Sequence, residues 1–135
     1  VPISDQLRAA GLRRTPARLA VLGRIESIGR PVSHGELTTE SELAMLDEIT
    51  VYRTLAALVE AGLVHRVLGT DGAWRYCAQP RDRAGCPGNH AHFLCDRCGG
   101  MDCLLDQPMP RVSVPPGYEV AGRHLLLHGR CARCR

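Results

Sequence analysis

The sequence predicts an α+β protein of two units, a helical N-terminal unit closed by a β-hairpin and a small C-terminal sheet unit held by metal. Three observations predict it. Helical periodicity runs through residues 3–61 and gives way to two alternating stretches that flank Gly69-Thr70-Asp71-Gly72, a hairpin signal. Residues 79–90 then turn polar, unpatterned and rich in Pro and Gly. Beyond them stand Cys95-x-x-Cys98 and Cys131-x-x-Cys134, with 32 residues between the pairs and the last cysteine in the penultimate position. The expected units are 1–78 and 90–135, joined by a hinge at 79–89.

Residues 3–10 read as a short helix capped at Gly11. Thr15 is an N-cap and Pro16 a first-turn residue for a helix to about Ile28, in which Leu19, Leu22, Ile25 and Ile28 share one broad face. Gly29-Arg30-Pro31 breaks the chain. Ser33-x-x-Glu36 is a capping box opening a third helix, expected to run to about Leu43. Asp47 caps a fourth helix over residues 48–61, closed by Gly62. Its Val51, Leu55, Leu58 and Val59 form an apolar stripe, with Thr50, Arg53 and Ala57 opposite and Tyr52 on the flank. Strands are expected at 63–68 and 73–77. Such an order makes a winged helix-turn-helix with residues 48–61 as recognition helix; it equally suits a helical core capped by a β-ribbon with no role on DNA. Past the hinge, residues 91–94, 101–105 and 118–127 read as strands. Pro108, Pro110, Pro115 and Pro116 leave little room for a long helix between the last two.

Each C-x-x-C can clip two sulfurs onto one tetrahedral metal at about 2.3 Å. Cys95, Cys98, Cys131 and Cys134 therefore complete a closed four-thiolate site, which suits a structural Zn(II). Seven cysteines, an odd number, fit thiolate ligation better than a disulfide framework. A closed site has no open position for a reacting molecule, and no Glu sits beside His90-x-His92 to act as base. A zinc-dependent enzyme is therefore not expected. With one Phe, one Trp and three Tyr in 135 residues, the core has to be aliphatic. No apolar run approaches the roughly 18 residues of a membrane span and no signal-peptide pattern is seen, so a cytoplasmic protein with no membrane partner is expected. The chain opens without Met, so the numbered sequence is expected to begin inside the natural one.

The net charge of +3 is unevenly spread: residues 1–30 carry six Arg against Asp5 and Glu26, while residues 31–50 carry five carboxylates and no Arg. Every base is Arg, which suits phosphate and guanine contacts and which a GC-rich coding bias would equally produce.

The motifs also resemble a known family. Thr15-Pro16-x-Arg18, Thr50-Val51-Tyr52-Arg53-x-Leu55, Ala61-Gly62-Leu63-Val64, His90-x-His92-Phe93-x-Cys95-x-x-Cys98-Gly99 and Gly129-x-Cys131-x-x-Cys134 stand in the order found in ferric uptake regulator proteins. The resemblance covers nearly the whole chain. It implies a dimeric metal-sensing repressor with an N-terminal winged helix, a C-terminal dimerisation domain, a structural zinc and a regulatory metal site near the hinge. It also implies a homodimer on palindromic operator DNA. Tyr52 would meet thymine methyls, Arg53 would pair with guanine beside Thr50, and Arg13, Arg14 and Arg18 would hold phosphates or reach the minor groove.

Two departures from the family pattern bear on the metal. Iron sensors usually carry Glu five residues after the second cysteine of C-x-x-C-G, where this chain has Cys103. The carboxylate they place at the end of the second wing strand is here Cys77. Sulfur in place of two oxygen donors moves the site from six-coordinate iron toward tetrahedral zinc. His65 matches a ligand position of zinc uptake regulators. The regulatory zinc is thus expected from His65, Cys77, His90, His92 and Cys103, five candidates for four places, giving one structural and one regulatory Zn(II) per chain. The expected function is a zinc-responsive repressor of zinc-uptake genes; a sensor of iron, manganese, nickel or peroxide is the alternative. Pro31 occupies the family's N-terminal histidine position, so His34 reads as a surface residue, and Cys86 receives no role.

Overall fold

A computed structural model describes residues 2–39, 43–78, 90–105, 107 and 109–135. The expected hinge at 79–89, Cys86 included, lies outside the described residues.

From the second helix on, the N-terminal helices start where side-chain oxygens accept their first free N–H groups. α1 (Ile3–Ala9) buries Leu7. α2 (Pro16–Ile28) begins with the Thr15 hydroxyl accepting from the Arg18 N–H at 3.2 Å. β1 (Val32–Ser33) leads into α3 (His34–Thr38), where Ser33 and Glu36 form both halves of the capping box. A 3-10 turn (Leu43–Met45) follows. α4 (Glu48–Glu60) opens on Asp47, whose carboxylate accepts from the Thr50 N–H at 2.7 Å, a bond that holds its pKa below the usual value. α4 ends before Gly62, whose φ of 78° is the left-handed conformation a helix exit favours.

The third helix is shorter than its capping box suggested, ending at Thr38 instead of about Leu43. Thr38 and Thr39 donate their hydroxyls back to the carbonyls of His34 and Glu36, at 2.9 Å each, a competing local arrangement common at helix ends.

β2 (Val64–Leu68) and β3 (Trp74–Ala78) form the expected hairpin, and β1 adds a third strand, in the order β1-β3-β2. The wing is therefore a sheet anchored beneath the helices, since Val32 pairs with Tyr76. Leu7, Leu22, Leu37, Val51, Leu55 and Leu58 are buried in one core with Val64 and Tyr76. Burial of each aliphatic side chain contributes roughly 1.5–3 kcal/mol, which explains how a chain poor in aromatics holds this unit.

The second sheet has the order β5-β4-β6 and contains β4 (Ala91–Cys95), β5 (Met101–Leu104) and β6 (Leu126–Gly129). β6 runs parallel to β4, pairing Leu126 with His92 and Gly129 with Cys95. The last strand was expected at 118–127 and is found at Leu126–Gly129. Pairing with β4 begins only where the His92 N–H reaches the Leu125 carbonyl, and residues 118–124 are exposed with no ladder partner among the described residues. A strand needs a neighbouring edge, and alternation alone does not supply one.

Period-two alternation fixes which wing side chains face the second sheet. Val64 and Tyr76 point into the helical core, so His65, Val67, Arg75 and Cys77 lie on the opposite face. Val67 packs there with Leu94 and Met101 of the second sheet, joined by Leu126.

Candidate metal centres and nucleic-acid interface

Cys95, Cys98, Cys131 and Cys134 converge with their sulfurs all within 4.8 Å of one another. Four sulfurs about 2.3 Å from a zinc ion sit about 3.8 Å apart, and Cys98 Sγ lies 3.9 Å from Cys131 Sγ. The tight turn after β4 aims the Cys98 N–H at Cys95 Sγ, and the Cys131 N–H does the same from the end of the chain, each at 3.4 Å. These two bonds draw the Cys95 pKa down to about 6, favouring thiolate. Cys134 is pushed up to about 12, first by its hydrogen bond with Cys131 and then by burial. Four thiolates this close require a cation among them, and the donor set fits Zn(II).

The knuckle is tied to the wing. Arg75, 3% exposed, donates through Nε and Nη2 to the Gly99 carbonyl at 3.1 and 2.9 Å. Its Nη1 and Nη2 also grip Asp71 at 3.0 and 2.9 Å. That bidentate bond holds the Asp71 pKa down to about 2, so the pair persists above the ordinary carboxylate range and is lost only as pH falls through about 2. Gly99 has a φ of 76°, which turns its carbonyl toward Arg75 without strain. No motif in the sequence singles out Arg75. Its partner at Gly99 is distant in sequence, and no local pattern announces such a bond.

A second cluster brings together His90, His92 and Cys103, their ligand atoms also within 4.8 Å of one another. The register explains it: His92 faces Cys103 across β4 and β5, and His90 stands two residues back on the same side. The two imidazole centroids are 4.7 Å apart. His92 is 3% exposed and its Nε2 is buried with no hydrogen-bond partner among the described residues, an arrangement a core histidine normally avoids. Two imidazoles and a thiolate are a zinc-type donor set.

His65 and Cys77 lie outside this cluster and are paired with each other across β2 and β3. Both are buried. They occupy the wing face that carries Val67, while His92 and Cys103 share the face of Leu94 and Met101, to which Val67 packs. All five expected ligands thus line the same seam between the sheets, three of them already together.

On the other side of the N-terminal unit, α4 presents Tyr52 and Arg53 to solvent, with Thr50 half-buried. Arg13 and Arg14 are exposed, and Arg18 is half-buried, its guanidinium donating to the Arg13 carbonyl at 3.2 Å. His34, expected at the surface, is half-buried and stacks on Tyr52, with ring centroids 3.9 Å apart and planes 7° from parallel.

The profile of the ferric uptake regulator family matches residues 9–113. Ferric uptake regulation protein 1 of Mycolicibacterium fortuitum is 34% identical over 122 residues, covering 87% of this chain and 72% of the relative. The zinc uptake regulation protein of Escherichia coli is 31% identical over 137 residues, covering 91% and 73%. Among solved structures, a zinc uptake regulator complexed with zinc and DNA superposes with a TM-score of 0.62 at 24% identity, covering 97% of this chain and 89% of that one. That likeness shows the fold. Relatives named for iron and for zinc stand at similar identity, so the choice of metal rests on the donor atoms.

Proposed function

The chain belongs to the ferric uptake regulator family of metal-responsive transcriptional regulators, which are not enzymes, and from that premise we propose a zinc-responsive repressor that binds palindromic operator DNA as a homodimer. The observation that carries the zinc reading is the cluster of His90, His92 and Cys103, with a buried, unpartnered His92 Nε2 and sulfur in place of an oxygen donor. Genes of zinc uptake are the fitting target, since a repressor active at high zinc should silence supply.

Zinc bound at this site supplies a crosslink of nitrogen and sulfur donors. His90, His92 and Cys103 hold their side of it from the C-terminal sheet, and His65 or Cys77 completes it from the wing. Arg75 and the Val67 contact keep the two faces in register, so the wing donors need little movement to join. Donors from both sheets are the essential feature. A metal bound by one sheet alone has the same affinity for every wing position and shifts no population. A fixed wing fixes the spacing of two recognition helices against half-sites about one DNA turn apart.

The test is a binding titration against buffered free Zn(II) and Fe(II). The duplex is one that the zinc-loaded protein enriches from a random pool. Binding should rise with Zn(II) as a second equivalent loads, and Fe(II) should give no comparable rise. Tight binding with only the first zinc present, or an equal response to Fe(II), would sink the reading.

A further inference from the structure

We propose that His34 is a positioning residue of the DNA interface, whose imidazole, stacked on Tyr52, holds the phenol ring in the orientation that meets a base. The proposal rests on the reading of α4 as a recognition helix with Tyr52 at its DNA face. His34 is the first residue of α3, and the capping box formed by Ser33 and Glu36 fixes the backbone from which its ring projects. The two rings lie 3.9 Å apart at their centroids and 7° from parallel, so one face of Tyr52 is covered while the residue remains 48% exposed. His34 Nε2 is buried and makes no hydrogen bond among the described residues, so the stack is the contact the structure gives this ring.

A tyrosine on an exposed helix face otherwise samples several χ1 wells and has to be ordered when it binds. Pre-stacking removes that ordering step and confines the phenol to one plane, ready for apolar contact with a thymine methyl. Tyr52 also lies near Tyr76 of β3, whose hydroxyl is pushed up first by burial, with a smaller part from Tyr52. From there Arg66 stands over the Trp74 ring at 4.2 Å, so aromatic and cationic groups continue along the wing. Tyr52 is therefore set in a frame built from α3 and the wing, and His34 supplies the member in direct ring contact.

The experiment compares His34→Ala, His34→Phe, Tyr52→Ala and the double variant His34→Ala/Tyr52→Ala. The probe is the duplex enriched from a random pool by the zinc-loaded wild-type protein. A matching set has each thymine replaced singly by uracil, which removes only the methyl group. His34→Ala should weaken binding about fivefold, the cost of ordering one side chain, and should shrink the thymine-over-uracil preference at the position where Tyr52→Ala abolishes it. His34→Phe, which keeps a flat ring, should retain both. The double variant should bind no worse than Tyr52→Ala, because residues that act as one unit are not additive.

If His34→Ala leaves affinity and methyl preference intact while Tyr52→Ala loses them, the positioning role is overturned and the recognition helix stands. Strictly additive losses in the double variant overturn it as well. If Tyr52→Ala changes neither quantity, the base-reading role itself is wrong and the proposal falls with it. Should His34→Ala fail to fold, His34→Leu against His34→Phe decides: the aliphatic variant must lose the methyl preference and the aromatic one must keep it.

Discussion

Cys131→Ser is expected to release the structural zinc and to unfold the C-terminal sheet while the N-terminal helices persist. Among the described residues, the second sheet has little else to hold it. Among those residues, its own members of the buried apolar cluster are Leu94 and Met101, packed on Val67 of the wing, against a dozen buried side chains in the N-terminal core. Apparent free energies for structural zinc run to about 10–16 kcal/mol, comparable to the whole stability of an ordinary domain. Cys131→Ser keeps the backbone N–H that supports Cys95, so the variant reports the loss of the sulfur ligand alone. Metal content per chain and amide exchange check the outcome: protection should vanish in β4 and β6 and remain in α2 and α4. Intact protection in β4 without zinc would show that packing alone holds this sheet.

His92→Ala is expected to abolish the zinc response of DNA binding while leaving the four-cysteine zinc in place. The loss should exceed the 10–100-fold typical of residues that only support a ligand, because His92 offers a ring nitrogen to the cluster and its buried Nε2 has no hydrogen-bond partner among the described residues. Cys77→Ser should also abolish zinc-dependent operator binding, by a separable route. Cys77 sits on the wing, so its loss should uncouple wing position from metal while His90, His92 and Cys103 still bind it weakly. Zinc counted per chain alongside operator affinity distinguishes the two variants. An unchanged zinc response in Cys77→Ser would remove Cys77 from the site and leave His65 as the donor to test on the wing.

Features with local causes were legible in the sequence. The caps at Thr15, Ser33 and Asp47 all formed, because each needs only an oxygen and an N–H three residues on. The four-cysteine site was legible for the same reason, each C-x-x-C being a self-contained turn. Features that depend on a distant partner were not. β1 is two residues long and exists because Val32 finds Tyr76. β6 starts later than its alternation suggested because β4 offers an edge only from Leu125 onward. Arg75 became a clamp through Gly99, and His34 is half-buried through its stack on Tyr52. The cluster of His90, His92 and Cys103 falls between these cases. His90-x-His92 was visible as spacing, but the place of Cys103 beside it was set by strand register.

Cobalt substitution tests sulfur ligation in the proposed regulatory site most directly. With zinc retained in the four-cysteine site, Co(II) added to the second site should give the intense visible bands of a tetrahedral ion. A thiolate-to-cobalt charge-transfer band should accompany them, lost or diminished in Cys103→Ser. A weak six-coordinate spectrum without that band, unchanged in both Cys77→Ser and Cys103→Ser, would contradict the account and return the site to an iron-type donor set.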